Sequence, residues 1–151
     1  MFQNIQKMTL IYLAVIFFIG LDRFLKVFAS ASQTSEFNLL GEILKFNYKA
    51  NYYIAFSLPL YGAWLKVIIL LIILLLLFYL AQAWQSGRQG IAVSLFTIVM
   101  GAAGNLFDRF KYGYVIDYLD LKYFTVFNLA DAMIVIGIFL MLIYANKKEA
   151  A

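Results

Sequence analysis

Residues 67–83 read VIILLIILLLLFYLAQA, seventeen positions without a charged side chain. Coiled as an α-helix rising about 1.5 Å per residue, such a run crosses most of a hydrocarbon core about 30 Å thick. The run belongs to a longer apolar stretch at roughly 61–83, and similar stretches lie at roughly 8–28, 91–107 and 127–146. Each has about the 17 to 25 residues that a transmembrane helix requires. The 151-residue chain is 65% hydrophobic and 13% charged, with a mean hydropathy of +0.86. A water-soluble domain of this size needs far more polar surface. The sequence therefore predicts an all-α integral membrane protein, one polytopic domain over residues 1–151 with four transmembrane helices.

Between the first two spans, EILKFNYKANYYIAFSLPL (42–60) is rich in Tyr, Phe and Ile with partial alternation. That pattern predicts a small β-element over about residues 36–58, lying at the membrane interface where tyrosine rings are at home. Pro59 marks entry into the second helix, and AWQSGRQG (83–90) is a polar turn between the second and third. The first apolar run, with Lys7 before it and Ala29-Ser30-Ala31 after it, also fits a cleavable signal peptide. Against that, Asp22, Arg23 and Lys26 stand between the run and the small residues, where a signal peptide is usually uncharged. Four spans put both termini on one side of the membrane. Lys7, Arg88, Lys147 and Lys148 fall on that side and Lys45, Lys49, Lys111 and Lys122 on the other, so the bias of basic residues does not set the orientation.

The net charge of +4 does not indicate nucleic acid, because the basic residues are scattered singly. The chain has no cysteine and no histidine. Disulfides, Cys or His metal ligands and Ser-His or Cys-His nucleophile pairs are thereby excluded. Acid–base chemistry near neutral pH must rely on carboxylates, Lys, Tyr or water.

The acidic residues are gathered. Of eight, four (Asp108, Asp117, Asp120 and Asp131) fall within GNLFDRFKYGYVIDYLDLKYFTVFNLAD (104–131). With four alternating spans, Asp22 and Lys26 near the end of the first helix, Asn105, Asp108 and Arg109 at the end of the third, and Asn128 and Asp131 at the start of the fourth all face one side of the membrane. Spacings of three and four put each set on one helical face. Gly101-Ala102-Ala103-Gly104 offers a small-residue surface for a close neighbour. The expected result is a polar pocket at the mouth of a four-helix bundle. Ionisable groups there must pair or serve a water-filled cavity.

For Asp22, Lys26 and Asp108 the structural reading is bridging between helices, Asp22 with Lys26 and Asp108 with Arg109 or another cation. It fits Asp131 less well, since no cation lies within one turn of it. Asp117, in the Tyr-rich segment before the fourth helix, can fold back against that helix, whereas Asp120 reads as a solvated loop residue. Two carboxylates in a partly desolvated pocket tend to share one proton. One can then draw a proton from water as the water attacks an amide carbonyl, while the other protonates the oxyanion and the leaving nitrogen.

The order Asp22-Arg23-x-x-Lys26, Asn51 with Ala55-Phe56-Ser57, Gly104-Asn105-x-x-Asp108-Arg109, Val115-x-Asp117-Tyr118 and Phe127-Asn128-x-Ala130-Asp131 resembles lipoprotein signal peptidase, or signal peptidase II. The five blocks run in sequence from residue 22 to 131. The resemblance implies a four-helix protein of the bacterial cytoplasmic (inner) membrane, its termini in the cytoplasm and its active site near the outer face. It implies an aspartic endopeptidase that cuts a prolipoprotein just before a diacylglyceryl-modified cysteine, with Asp117 and Asp131 as the catalytic pair. Asn51, Asn105, Asp108, Arg109 and Asn128 match positions that shape the site or hold substrate, with Asp22 and Lys26 as supporting charges. No cofactor or metal is implied; the partners are diacylglyceryl-prolipoproteins and membrane lipid, and the protein is expected to be a monomer.

Two departures bear on specificity rather than chemistry. Tyr53 stands where the family usually has Gly, and only 14 positions separate Asp117 from Asp131. Three other readings use the same residues. A small transporter requires acids near the bilayer midplane and access from both sides. A metal-dependent lipid-modifying enzyme would hold a divalent cation on Asp117 and Asp120. A non-catalytic assembly subunit would tolerate loss of either aspartate.

Overall fold

The computed structural model describes residues 2–32, 36–52 and 62–146. Tyr53, the Ala55-Phe56-Ser57 block, Pro59 and the Lys147-Lys148 pair lie outside the described residues. Among the described residues four helices are long and apolar enough to cross a membrane: α1 (Phe2–Ala31), α2 (Gly62–Gln85), α3 (Gln89–Lys111) and α4 (Leu129–Asn146). Four strands accompany them there: β1 (Phe37–Leu40), β2 (Leu44–Asn51), β3 (Val115–Leu121) and β4 (Val126–Phe127).

Helix α3 is the central one. Of its spanning stretch 56% is buried, against 11% for α1 and for α2, and it packs on α4, α2 and α1. The others present Leu10, Phe17, Leu71, Phe78 and Phe139 outward, as apolar side chains facing lipid do. Glycines decide how closely α3 and α4 approach. A Cβ on Gly101 would lie 2.5 Å from the Ala130 carbonyl oxygen, and one on Gly137 would lie 2.9 Å from that of Ser94. Gly104 in turn receives Ile19 of α1. The small-residue surface expected at 101–104 thus serves two neighbours, α4 and α1.

The strands form one antiparallel sheet in the order β1-β2-β3-β4. The hairpin β1–β2 falls inside the interfacial β-element expected from the sequence. Its partner strand was not expected: VIDYLDL pairs with β2, placing Lys49 opposite Asp117 and Asn51 opposite Val115. Half of the sheet therefore comes from the connection between α3 and α4. The alternation of Val, Ile, Tyr and Leu suits a strand, but the interspersed aspartates gave the segment the polarity of a loop. Asp120 accordingly sits on a strand, not in a solvated loop, and accepts a 2.8 Å hydrogen bond from Asn47 Nδ2.

Element ends also differ. Helix α3 continues to Lys111, so Asp108 and Arg109 occupy its last turns, and α4 starts at Leu129 because Phe127 is paired with Leu119 in the sheet. The reversal from α3 into β3 uses Gly113, whose φ of +85° is the left-handed conformation that ends many helices; its N–H reaches the Arg109 carbonyl at 3.2 Å. Helix α1 runs unbroken to Ala31 and buries Ala29.

Candidate active site

The site is built around a buried ammonium group. Lys26 of α1 is inaccessible to solvent, and its Nζ lies 2.9 Å from Asp22 Oδ2, 2.9 Å from Asp108 Oδ2 and 2.8 Å from Asn105 Oδ1. One turn of α1 sets the first contact, because Asp22 and Lys26 are four apart; the other two require α3 to lie alongside. Arg23 completes the charge balance by donating to Asp108 Oδ1 at 2.6 Å, with its guanidinium 5.1 Å from the centre of the Phe107 ring. Asp108 therefore pairs across to α1. Arg109, expected as its possible partner, places Nη1 3.5 Å from the Asn105 carbonyl instead, and lies among the charges of Asp131, Asp117 and Asp108.

The start of α4 converts this charge network into a site. Asn128 caps the helix: its Oδ1 accepts the Asp131 N–H at 2.9 Å, while Asp131 Oδ2 accepts the Asn128 N–H at 3.3 Å. This is a reciprocal capping box with Asp in the third helical position. The favourable end of the helix dipole helps to hold a carboxylate there. Asp131 Oδ1 accepts a further 2.7 Å bond from Asn105 Nδ2.

Asp117, on β3, is fully buried and takes two amides, Asn128 Nδ2 at 2.7 Å on Oδ1 and Asn51 Nδ2 at 2.9 Å on Oδ2. Asn128 thus touches both aspartates, one through its side chain and one through its backbone. Burial pushes the Asp117 carboxyl up to about 6, with the neighbouring Asp131 charge adding to the rise. The hydrogen bonds from Asn51 and Asn128 and the charge of Lys26 hold it from going further. A carboxyl with that pKa exchanges its proton near neutrality, as acid–base chemistry requires.

All nine sequence-derived site residues, Asp22, Lys26, Asn51, Asn105, Asp108, Arg109, Asp117, Asn128 and Asp131, are brought to one end of the helix bundle. Asp120 is held by Asn47, whereas Asp117 is held by Asn51 and Asn128. Two residues were missed. Arg23 stood inside the first motif but next to stronger candidates. Tyr118 stood at the end of the fourth motif without a role of its own, yet it is completely buried and hydrogen-bonded to Asp22 at 3.0 Å.

The family model described as "Signal peptidase (SPase) II" matches residues 14–147. The chain belongs to the signal peptidase II family. It is 32% identical over 143 residues to the lipoprotein signal peptidase of Halothermothrix orenii, covering 93% of this chain and 97% of that protein. It is 31% identical over 147 residues to that of Streptococcus agalactiae, covering 93% and 94%. A bacterial membrane enzyme solved by the in meso method superposes with a TM-score of 0.78 at 24% identity, over 96% of this chain and 90% of that one. A second such structure gives 0.73, also at 24% identity, over 92% of each chain; these two support the fold. The signal peptidase II match spans every residue of the network, from Asp22 to Asp131. Its membership also agrees with four membrane-crossing helices in a bacterial membrane protein.

Proposed function

We propose that this member of the signal peptidase II family is an aspartic endopeptidase of the bacterial inner membrane, with Asp117 and Asp131 as its reactive pair. The observation that carries the reading is the double grip of Asn128, which holds one aspartate by its side-chain N–H and the other by its backbone N–H. Both carboxylates are thereby held beside one residue, close enough for the Asp131 charge to act on Asp117, and the pKa of Asp117, near 6, lets the pair share a proton around neutral pH.

In this mechanism one carboxylate accepts a proton from water as the water oxygen bonds to the scissile carbonyl carbon. The other, protonated, donates to the carbonyl oxygen. As the tetrahedral intermediate collapses the C–N bond breaks, the proton taken from water passes to the leaving nitrogen, and one hydroxyl of the intermediate returns its proton to the second carboxylate. The shared proton spares the pocket a second buried negative charge, and the charges of Lys26 and Arg109 offset the one that remains.

The substrate is assigned by kinship rather than by shape: the named relatives are lipoprotein signal peptidases, and the motifs resemble that family. The proposed cut therefore lies just before a diacylglyceryl-modified cysteine, in a site near the outer face of the membrane, on a monomer with both termini in the cytoplasm.

The test is cleavage of a diacylglyceryl-modified prolipoprotein in liposomes by wild type, Asp117→Asn and Asp131→Asn, with and without a chelator. The expected outcome is chelator-resistant cleavage before the lipidated cysteine that vanishes in both folded variants. Retained cleavage in either variant would remove that residue from the chemistry.

A further inference from the structure

We propose that Tyr118 is a positioning residue that fixes the strand carrying Asp117 to the helix carrying Asp131, using Asp22 as its second anchor. The inference rests on the reading of those two aspartates as the reactive pair.

Tyr118 follows Asp117 on β3, and alternation along a strand sends their side chains to opposite faces. One face carries the carboxylate toward Asn128 and Asn51; the other carries the phenol toward α1. The ring is completely buried, 5.4 Å from that of Phe46, among Ala29 and Ile116. The hydroxyl is used in both senses. It donates to Asp22 Oδ1 at 3.0 Å and accepts the Leu129 N–H at 3.1 Å. The same Asp22 oxygen accepts the Ala130 N–H at 3.1 Å.

Leu129 and Ala130 are the first two residues of α4, and their N–H groups have no partner within the helix. A tyrosine on β3 and an aspartate on α1 supply those partners, and the next residue is Asp131. Tyr118 and Asp22 therefore hold the first turn of α4 from outside, while Asn128 caps it from within. The phenol is also kept protonated, because burial and then the Asp22 charge push its pKa above the ordinary tyrosine value. A protonated hydroxyl can donate and accept at once, which this bridge requires. A phenylalanine would keep the ring contacts and lose both bonds, freeing the helix start to shift relative to β3. Small misplacements of reacting groups are enough to cost about 100-fold in rate.

The experiment measures kcat and KM separately, in liposomes, for wild type, Tyr118→Phe, Asp117→Asn and Leu95→Ala, the last a core truncation at the opposite end of α3. Tyr118→Phe is expected to lower kcat about 10- to 100-fold with KM within about twofold, while Leu95→Ala lowers thermal stability and leaves kcat intact. Wild-type kcat in Tyr118→Phe beside an inactive Asp117→Asn overturns the positioning role and leaves the aspartic reading standing. An equal kcat loss in Leu95→Ala also overturns it, since stability alone would then explain the effect. An active Asp117→Asn overturns the aspartic reading and this inference with it. If Tyr118→Phe does not fold, amide hydrogen exchange on the wild type decides. Protection of the Leu129 N–H comparable with the interior of α4 supports the bridge, and exchange as fast as an open amide overturns it.

Discussion

Lys26 is coupled to Asp131 through one side-chain amide: Asn105 Oδ1 accepts from Lys26 at 2.8 Å and Asn105 Nδ2 donates to Asp131 Oδ1 at 2.7 Å. The cation orients the amide, because only an oxygen can face an ammonium group. The amide must then present its N–H₂ to the aspartate. A charge on α1 thus fixes what the carboxylate on α4 receives.

Removing this relay tests its effect on rate. Asn105→Ala takes from Asp131 a hydrogen bond to a charged group, worth about 1.5–3 kcal/mol, so kcat should fall roughly 10- to 150-fold. KM should move little. A kcat within twofold of wild type in steady-state cleavage would show that Asp131 needs no such donor.

Removing the cation tests stability. Lys26→Met leaves Asp22 and Asp108 buried without their shared counter-charge, and breaking a buried ion pair from one side costs about 3–5 kcal/mol. Thermal unfolding in detergent should register a loss many times that of Lys111→Met, a change at an exposed position. Equal shifts in the two variants would refute the central role given to Lys26.

The raised pKa of Asp117 sets a pH dependence of stability with a definite sign. Its carboxyl titrates near 6 in the fold against an ordinary 3.8, so between those values the native state binds the extra proton. Stability from this group is complete below the lower value and is lost as pH rises through about 6. Asp117→Asn should therefore be inactive yet more stable than wild type by roughly 1–3 kcal/mol at pH 7–8, with the gap closing below about pH 4. A pH-independent difference in melting temperature would contradict the assignment.

The glycines of the α3–α4 contact separate packing from chemistry. In Gly101→Ala the new methyl meets the Ala130 carbonyl, one residue from Asp131, so both stability and kcat should drop. Gly137→Ala meets the Ser94 carbonyl and Ile98, far along α4 from its start. It should cost stability, about 1–3 kcal/mol for overpacking, and spare kcat in the fraction that remains folded. Paired melting curves and cleavage rates check both expectations.

The membrane helices were legible because a solvent of hydrocarbon leaves a chain little choice: long uncharged runs such as 67–83 have one stable outcome. The gathering of Asp22, Lys26, Asn105, Asp108, Asn128 and Asp131 followed from alternating spans, which bring odd and even helix ends to opposite sides. What the sequence hid was sheet pairing. The match of Lys49 with Asp117 is a contact over 68 positions, and no local pattern in VIDYLDL says which strand it will join. Partner choice among charges was hidden for a similar reason. Arg109 adjoins Asp108 in sequence, but adjacent helical residues do not face one another, and Arg23 took the place expected of it. Tyr118 was visible in the fourth motif, but nothing local says that its hydroxyl would reach both Asp22 and the start of α4.

The two aspartates arrive on different kinds of support, Asp117 on a strand outside the spanning segments and Asp131 at the head of a spanning helix. Neither the four inserted helices alone nor the paired strands alone contain both. Asp117 therefore gains the second of its two amides only once residues 115–121 have doubled back onto the strand that carries Asn51, so the surroundings of this carboxylate are completed by sheet pairing after the helices are in place.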